Sequence, residues 1–320
     1  MGKNVRGFRG YAVFVVVYTI ATILWGAWVR ITGSGAGCGS HWPSCNGEII
    51  PRSPTVETMI EYSHRLTSGL TLVFTVILFF WAKKRFGLKS LVGMGAAGTL
   101  FFVLAEAALG AGLVLFELVG NNDSVERAIV IAFHLINTFG LIAFGVITIW
   151  GTGTRRLVTP TGEWKRAFIP LTVLLLLVGM SGAITALGDT LFPVDTSIGL
   201  IERLEKDLSP AEHFLVRLRY IHPIISIATA IGLVWLCLFA KPRTSTSTLS
   251  SNGLLWAVIA QTGLGWLNVE LGAPGYMQII HLLMADVLWV LFVWFALDVR
   301  SVEAADEQTA AVAPAAVPSS

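Results

Sequence analysis

The residues best able to do chemistry in this chain are its histidines. Of six, four lie within charge-poor apolar runs: His64, His134, His222 and His281. A single histidine in such a run commonly serves as an interhelical hydrogen bond. Four at matched positions point further, because ionisable groups inside a membrane are costly and functional by default. Neutral imidazoles that face each other in pairs across a helical bundle suit the two axial positions of a haem iron. Other metals fit less well. Glu61-Tyr-Ser-His64 is a Glu-x-x-His step of the kind found in di-iron bundles, but those need a second such step. Ile131, Arg219 and Gln278 stand three residues before the other histidines. Structural zinc needs four N or S ligands, which two histidines per bundle do not supply.

Other reactive side chains gather around these four. Arg65, Arg127, Arg217 and Arg219 lie near the same membrane face. They are candidates for pairing with the anionic propionates of a haem, and interfacial snorkelling is the competing account. Glu61 shares a helix face with His64, and Glu57 lies one further turn away. Neither has a counterpart in the second half, so one histidine pair has a carboxylate nearby and the other does not. That asymmetry separates a reaction site from a purely redox site. Glu106 is read as structural or proton-handling, and Asp286 has no assigned role. Cys38 and Cys45 lie in a glycine-rich loop, Gly33 to Cys45. Outside a bacterial membrane a disulfide is the default for such a pair. A metal site with His41, or exchange with an external thiol, are the alternatives. Cys237 lies within an apolar run and is read as packing.

These residues need a membrane to position them. Hydrophobic residues make up 54% of the 320 and charged residues 13%, about half the charge of a soluble domain. The mean hydropathy is +0.72. A soluble enzyme, a disordered chain and a disulfide-rich secreted domain are excluded, and a net charge of +2 gives no reason to expect nucleic acid. Eight runs are long enough to cross a bilayer: roughly Tyr11–Val29, Thr58–Ala82, Leu91–Phe116, Ala128–Trp150, Phe168–Gly188, Arg217–Ala240, Asn252–Leu271 and Tyr276–Leu297. The first is uncharged from Gly10 to Val29 and lacks a small-residue cleavage site, so it reads as a retained span. Fourteen of the 22 lysines and arginines, including Lys83, Lys84, Arg155, Arg156, Lys241 and Arg243, collect on one side. Both termini are therefore expected in the cytoplasm. The outer face carries two long loops, about 31–57 and 189–216, the usual place for function. All four histidines fall five or six residues after the outer start of an even-numbered span, about 8–9 Å below the interface.

The halves echo each other. Glu106-Ala-Ala-Leu-Gly in the third span corresponds to Gln261-Thr-Gly-Leu-Gly in the seventh. Gly26-Ala-Trp-Val-Arg-Ile-Thr echoes Gly182-Ala-Ile-Thr. An even number of spans per half gives both halves the same orientation. The expected fold is an all-α integral membrane protein of eight transmembrane helices, a tandem repeat of two four-helix bundles. The divisions are 1–10, a cytoplasmic N-terminus; 11–150, the first bundle; 151–167, a cytoplasmic linker; 168–297, the second bundle; and 298–320, a disordered cytoplasmic tail rich in Ala, Pro and acids.

Taken together, these features resemble the haem A synthase (CtaA) family across about residues 10–297. The resemblance rests on the eight spans, Glu61-x-x-His64-Arg65, the three further aligned histidines and the Cys38–Cys45 pair. It implies an enzyme of the bacterial plasma membrane that oxidises the methyl group of haem O to the formyl group of haem A by successive hydroxylation. It implies a haem b cofactor between His222 and His281, with haem O as substrate between His64 and His134, both toward the outer face, and Glu61 beside the substrate. By pathway it implies a haem O synthase and cytochrome oxidase assembly as partners; a homo-oligomer within the bilayer remains open. Two departures stand out. Some family members carry a second cysteine pair in the second half, where this chain has Gly188-Asp-Thr-Leu-Phe-Pro193. Pro223 also follows His222 where Arg65 follows His64, so propionates in the second half need other groups, such as Arg217 or Arg219. The rival readings are a di-haem electron-transfer subunit without its own chemistry, which needs haems near opposite faces, and a tandem-repeat transporter.

Overall fold

A computed structural model describes residues 3–239 and 245–303. The described residues are mainly helical: α1 (Lys3–Ile31), α2 (Val56–Phe86), α3 (Leu91–Leu115), α4 (Val125–Trp150), α5 (Gly162–Leu191), α6 (Leu200–Asp207), α7 (Phe214–Arg217), α8 (Ile221–Phe239), α9 (Ser245–Glu270) and α10 (Gly275–Val299). Four of the long helices begin the same way. The hydroxyls of Thr55, Ser90, Ser124 and Thr161 accept from the backbone N–H three residues on, at Thr58, Gly93, Arg127 and Trp164. Each satisfies one of the donors that a helix start leaves free.

Among the described residues, seven helical segments are long and apolar enough to cross a membrane: α1 to α5, α7 with α8, and α10. Each of the eight expected spans coincides with helix. The seventh, α9, is long enough but carries Gln261, Thr262 and Asn268 in its apolar stretch, which lowers its hydropathy. The sixth differs in detail. Leu218–Tyr220 interrupt the helix between α7 and α8. Proline disfavours helix in the residue before it and lacks an N–H, which a first helical turn tolerates. Pro223 accordingly sits in the first turn of α8.

Close approaches knit the elements together. At Gly140 on α4 a Cβ would stand 2.5 Å from the Phe102 ring of α3, so glycine there lets the two helices close. The halves of the chain meet along α4 and α10: Phe139 and Trp289 stack at 5.0 Å, and the Trp289 indole donates to the Phe139 carbonyl at 2.8 Å. At one end of this seam Arg30 of α1 donates to the Ala186 carbonyl of α5 at 2.6 Å and to Gln278 of α10 at 2.9 Å. At the other end, buried Asp298 accepts from the Trp150 indole at 2.9 Å and from Arg155 at 2.6 Å.

The expected disordered tail begins too early at residue 298. α10 runs to Val299, and β2 (Ser301–Glu303) pairs antiparallel with β1 (Arg155–Leu157). The strand pairing satisfies backbone groups that composition alone assigned to a tail. The linker 151–167 likewise contains β1 and the start of α5, and most of the expected N-terminal segment 1–10 is already helix. Residues 304–320, Lys241 and Arg243 lie outside the described residues.

Candidate functional site

Each of the four histidines lies against a glycine of the preceding long helix. His64 of α2 faces Gly26 of α1, where a Cβ would stand 2.9 Å from the ring. His222 of α8 faces Gly182 of α5, also at 2.9 Å. His281 of α10 faces Gly265 of α9, where a Cβ would stand 3.1 Å away, and His134 of α4 faces Gly110 of α3, where it would stand 3.9 Å away. A methyl group at the three tight positions would push the imidazole away. The two short sequence echoes thus mark these contacts: Gly26 and Gly182 open one pair of echoes, and Gly110 and Gly265 close the other.

Two of the histidines lie deeper along their helices than expected. His64 and His134 fall eight and nine residues beyond the first residues of α2 and α4, about 12–13 Å of rise. His281 falls six residues into α10, about 9 Å. His222 lies at the second position of α8, but α7 precedes it. Capped first turns extend the helices beyond the apolar runs from which the starts were read.

In the second half the His222 and His281 rings are 6.4 Å apart and perpendicular. Two imidazoles bound to one metal at about 2 Å each have ring centres about 6 Å apart, so this pair brackets the space of a single ion. His222 Nδ1 lies 3.1 Å from the Ser181 hydroxyl, and His281 Nε2 lies 3.2 Å from the Gln261 amide nitrogen. In the first half His134 Nδ1 lies 2.7 Å from Glu106. His64 Nδ1 and His281 Nδ1 are enclosed without a hydrogen-bond partner, which leaves ring donors or acceptors for a bound group to use. No cluster of three or more His, Cys, Asp or Glu side chains among the described residues could hold a metal ion by itself. Paired imidazoles fit a metal whose remaining ligands come with it, as in a porphyrin.

Glu61 is turned to the loop between α1 and α2. Its carboxylate accepts from the Cys38 backbone N–H at 2.8 Å and pairs with Arg65 at 2.5 Å. Arg65 in turn donates to the carbonyls of His41 and Ser44, both at 2.6 Å. Cys38 and Cys45 form a disulfide, so neither thiolate is available to a metal beside His41. The loop is seated on α2, where Thr58 donates to the Gly37 carbonyl at 2.8 Å. A Cβ at Gly37 would stand 2.5 Å from the Glu57 backbone. Gly37→Ala is therefore expected to lift the loop and to destabilise the protein by about 1–3 kcal/mol, the usual range for overpacking. Thermal melts in detergent, with mass mapping to show that the disulfide still forms, measure this; an unchanged melt would mean that the loop is not held there.

Three of the four arginines considered for propionates hold protein groups. Arg65 secures the disulfide loop. Arg127 donates to the Gly120 and Asn122 carbonyls at 2.7 and 2.5 Å. Arg219 pairs with Asp189 at 2.8 Å and donates to the Gly188 and Phe192 carbonyls. Arg217 is exposed. Sequence reading missed Arg30, the arginine that joins the halves, because it ends the first apolar run like an ordinary flanking charge. It also left Glu106 without a site, although the Glu106/Gln261 echo was visible. Asp286 is fully buried, and neither of its oxygens has a partner among the described residues.

Comparison with known proteins places the chain in a family. A family model described as COX15-CtaA, cytochrome oxidase assembly protein, matches residues 9–293. A protein of Thermus thermophilus named protoheme IX farnesyltransferase is 46% identical over 293 residues, 90% of this chain and 47% of that protein. Proteins named heme A synthase are 36% identical over 43% of this chain in Alkalihalophilus pseudofirmus, and 32% identical over 53% of it in Exiguobacterium sibiricum. The matches span about half the length of these relatives, between 44% and 53%. With a family match over nearly its whole length, the chain belongs to the COX15-CtaA family of cytochrome oxidase assembly proteins.

Proposed function

We propose that this protein is a haem A synthase, which oxidises the methyl group of haem O to the formyl group of haem A by successive hydroxylation for cytochrome oxidase biogenesis. The observation that carries this reading is the repeated glycine–histidine contact, which gives each half two imidazoles but surrounds them with different chemistry. In the first half are a carboxylate on His134 and a second carboxylate, Glu61, under the disulfide loop. In the second half the groups that touch the histidines are neutral, Gln261 and Ser181, and Arg219 stands at the position of Glu61.

On this reading α9 spans the membrane with the others, giving eight spans in two four-helix bundles. Both termini are cytoplasmic and the histidines lie toward the outer face. His222 and His281 hold a resident haem b, which supplies one-electron transfer when bound. His64 and His134 hold the substrate, haem O. Gly26, Gly110, Gly182 and Gly265 leave room for the imidazoles and fix their approach. The disulfide loop covers the outer end of α2 and keeps water from Glu61, which is 3% exposed. Glu61 takes up protons lost from the methyl carbon, while Arg65 holds its carboxylate in place. The Thermus relative, of which this chain matches 47%, supports a protoheme IX farnesyltransferase as the partner that delivers haem O.

Co-expression with a haem O synthase, followed by haem extraction and chromatography, tests the reading. Haem b together with haem A is expected. Haem b alone, with haem O plentiful in the membranes, would count against it.

A further inference from the structure

The Glu106/Gln261 echo carries more than a repeat relationship. In both halves the residue one helical turn before the contact glycine reaches the same histidine as that glycine. Glu106 precedes Gly110 and lies 2.7 Å from His134 Nδ1; Gln261 precedes Gly265 and its amide nitrogen lies 3.2 Å from His281 Nε2, so the ring nitrogen left without a partner is Nδ1 in His281. One position of the fold thus holds a carboxylate in the first half and an amide in the second.

The surroundings of Glu106 are built for a carboxylate. Thr138 donates to its Oε1 at 2.5 Å, the same oxygen that receives His134, and the Asn137 amide donates to its Oε2. Asn137 and Thr138 are themselves buried, at 8% and 3% exposure. Every partner is a donor, and an ionised carboxylate only accepts. A carboxylate at Nδ1 fixes the proton there and leaves Nε2 with a free lone pair. It also makes the imidazole more electron-rich, the usual effect of a carboxylate behind a metal-bound histidine. An amide does this far less.

We propose that Glu106 is a positioning residue that makes His134 the more electron-donating ligand, and that the glutamate-to-glutamine exchange between the halves sets their two haems at different potentials. The inference rests on the haem reading given above. An electron-rich ligand stabilises ferric over ferrous iron, so the haem held by His64 and His134 has the lower midpoint potential. Electrons removed from the substrate side then pass toward the haem held by His222 and His281.

The test uses the full chain, purified from cells that make haem O, with redox titration followed by absorption spectra. Glu106→Gln is expected to raise the midpoint of the first-half haem by about 59 mV, which corresponds to a tenfold change in the ferric-to-ferrous affinity ratio, and to leave the second-half haem unmoved. Gln261→Glu is expected to lower the second-half midpoint by a similar amount. This reciprocal variant stands even where Glu106→Gln folds poorly. A merely structural role for Glu106 would lower haem content or stability without shifting opposite potentials in opposite directions. Unchanged midpoints in both variants, with both haems bound, overturn the proposal while the haem reading survives. An unaltered protein that binds no haem between His64 and His134 overturns both.

Discussion

On the proposed reading, His281→Ala is expected to remove the six-coordinate haem b from the second half and to leave the first half able to take haem O. The His222 and His281 rings stand 6.4 Å apart, the separation of two imidazoles on one metal, so neither has a substitute at that distance. Among the described residues no third histidine, cysteine or carboxylate joins them. The alanine leaves a space the size of an imidazole above Gly265, which a ring already fills closely at 3.1 Å. Imidazole added to the purified variant is therefore expected to restore a low-spin spectrum. The measurement is the absorption spectrum of reduced, detergent-purified protein. A full complement of six-coordinate haem b in His281→Ala without added imidazole would show that the iron is held elsewhere. His222→Ala gives the same result, with the difference that Ser181 loses its ring partner.

The spans and the histidine positions were legible because a membrane imposes a simple rule: backbone groups must be satisfied within the segment, so long apolar runs become helices. Charge asymmetry and the four histidines were visible for the same reason, since polar groups in such runs stand out. What could not be read was direction. Glu61 shares a helix face with His64 by spacing, yet its carboxylate is turned to the backbone of the disulfide loop and to Arg65. Only the fold of the loop, with Gly37 pressed on the Glu57 backbone, determines that. The arginines beside the histidines were read from proximity in sequence. Carbonyl groups at loop ends have stronger claims on them, because such carbonyls lack helical partners. Helix starts were placed too late because capped first turns lie in the polar interface, where hydropathy is silent. The pairing of Glu106 with His134 needed the register between α3 and α4. The echo with Gln261 identified the position but not which side chain it would meet.

Glu61→Gln separates an enzyme from an electron carrier. Converting a methyl to an aldehyde removes protons as well as electrons from one carbon, in an apolar interior where water is scarce. Glu61 is the carboxylate near the start of α2 that is both buried and held by charge-assisted bonds. On the proposed reading it takes up the protons that the substrate methyl loses. Glutamine keeps the shape and one acceptor oxygen. The Cys38 N–H therefore retains a partner, and Arg65 retains the His41 and Ser44 carbonyls. The loop stays seated and the disulfide forms. Haem b content in the second half is expected to be unchanged, and haem O still enters between His64 and His134. Turnover falls by about 10²–10⁴, the scale for a lost acid–base group, and haem O or its singly hydroxylated form accumulates on the protein. Chromatography of haem extracted from the purified variant reads all three species at once. Unaltered yields of haem A from Glu61→Gln would remove it from the chemistry and leave its carboxylate as an anchor for the loop alone. Loss of haem b together with haem A would point instead to a collapse of the fold, which the second-half spectrum of the same sample reports independently.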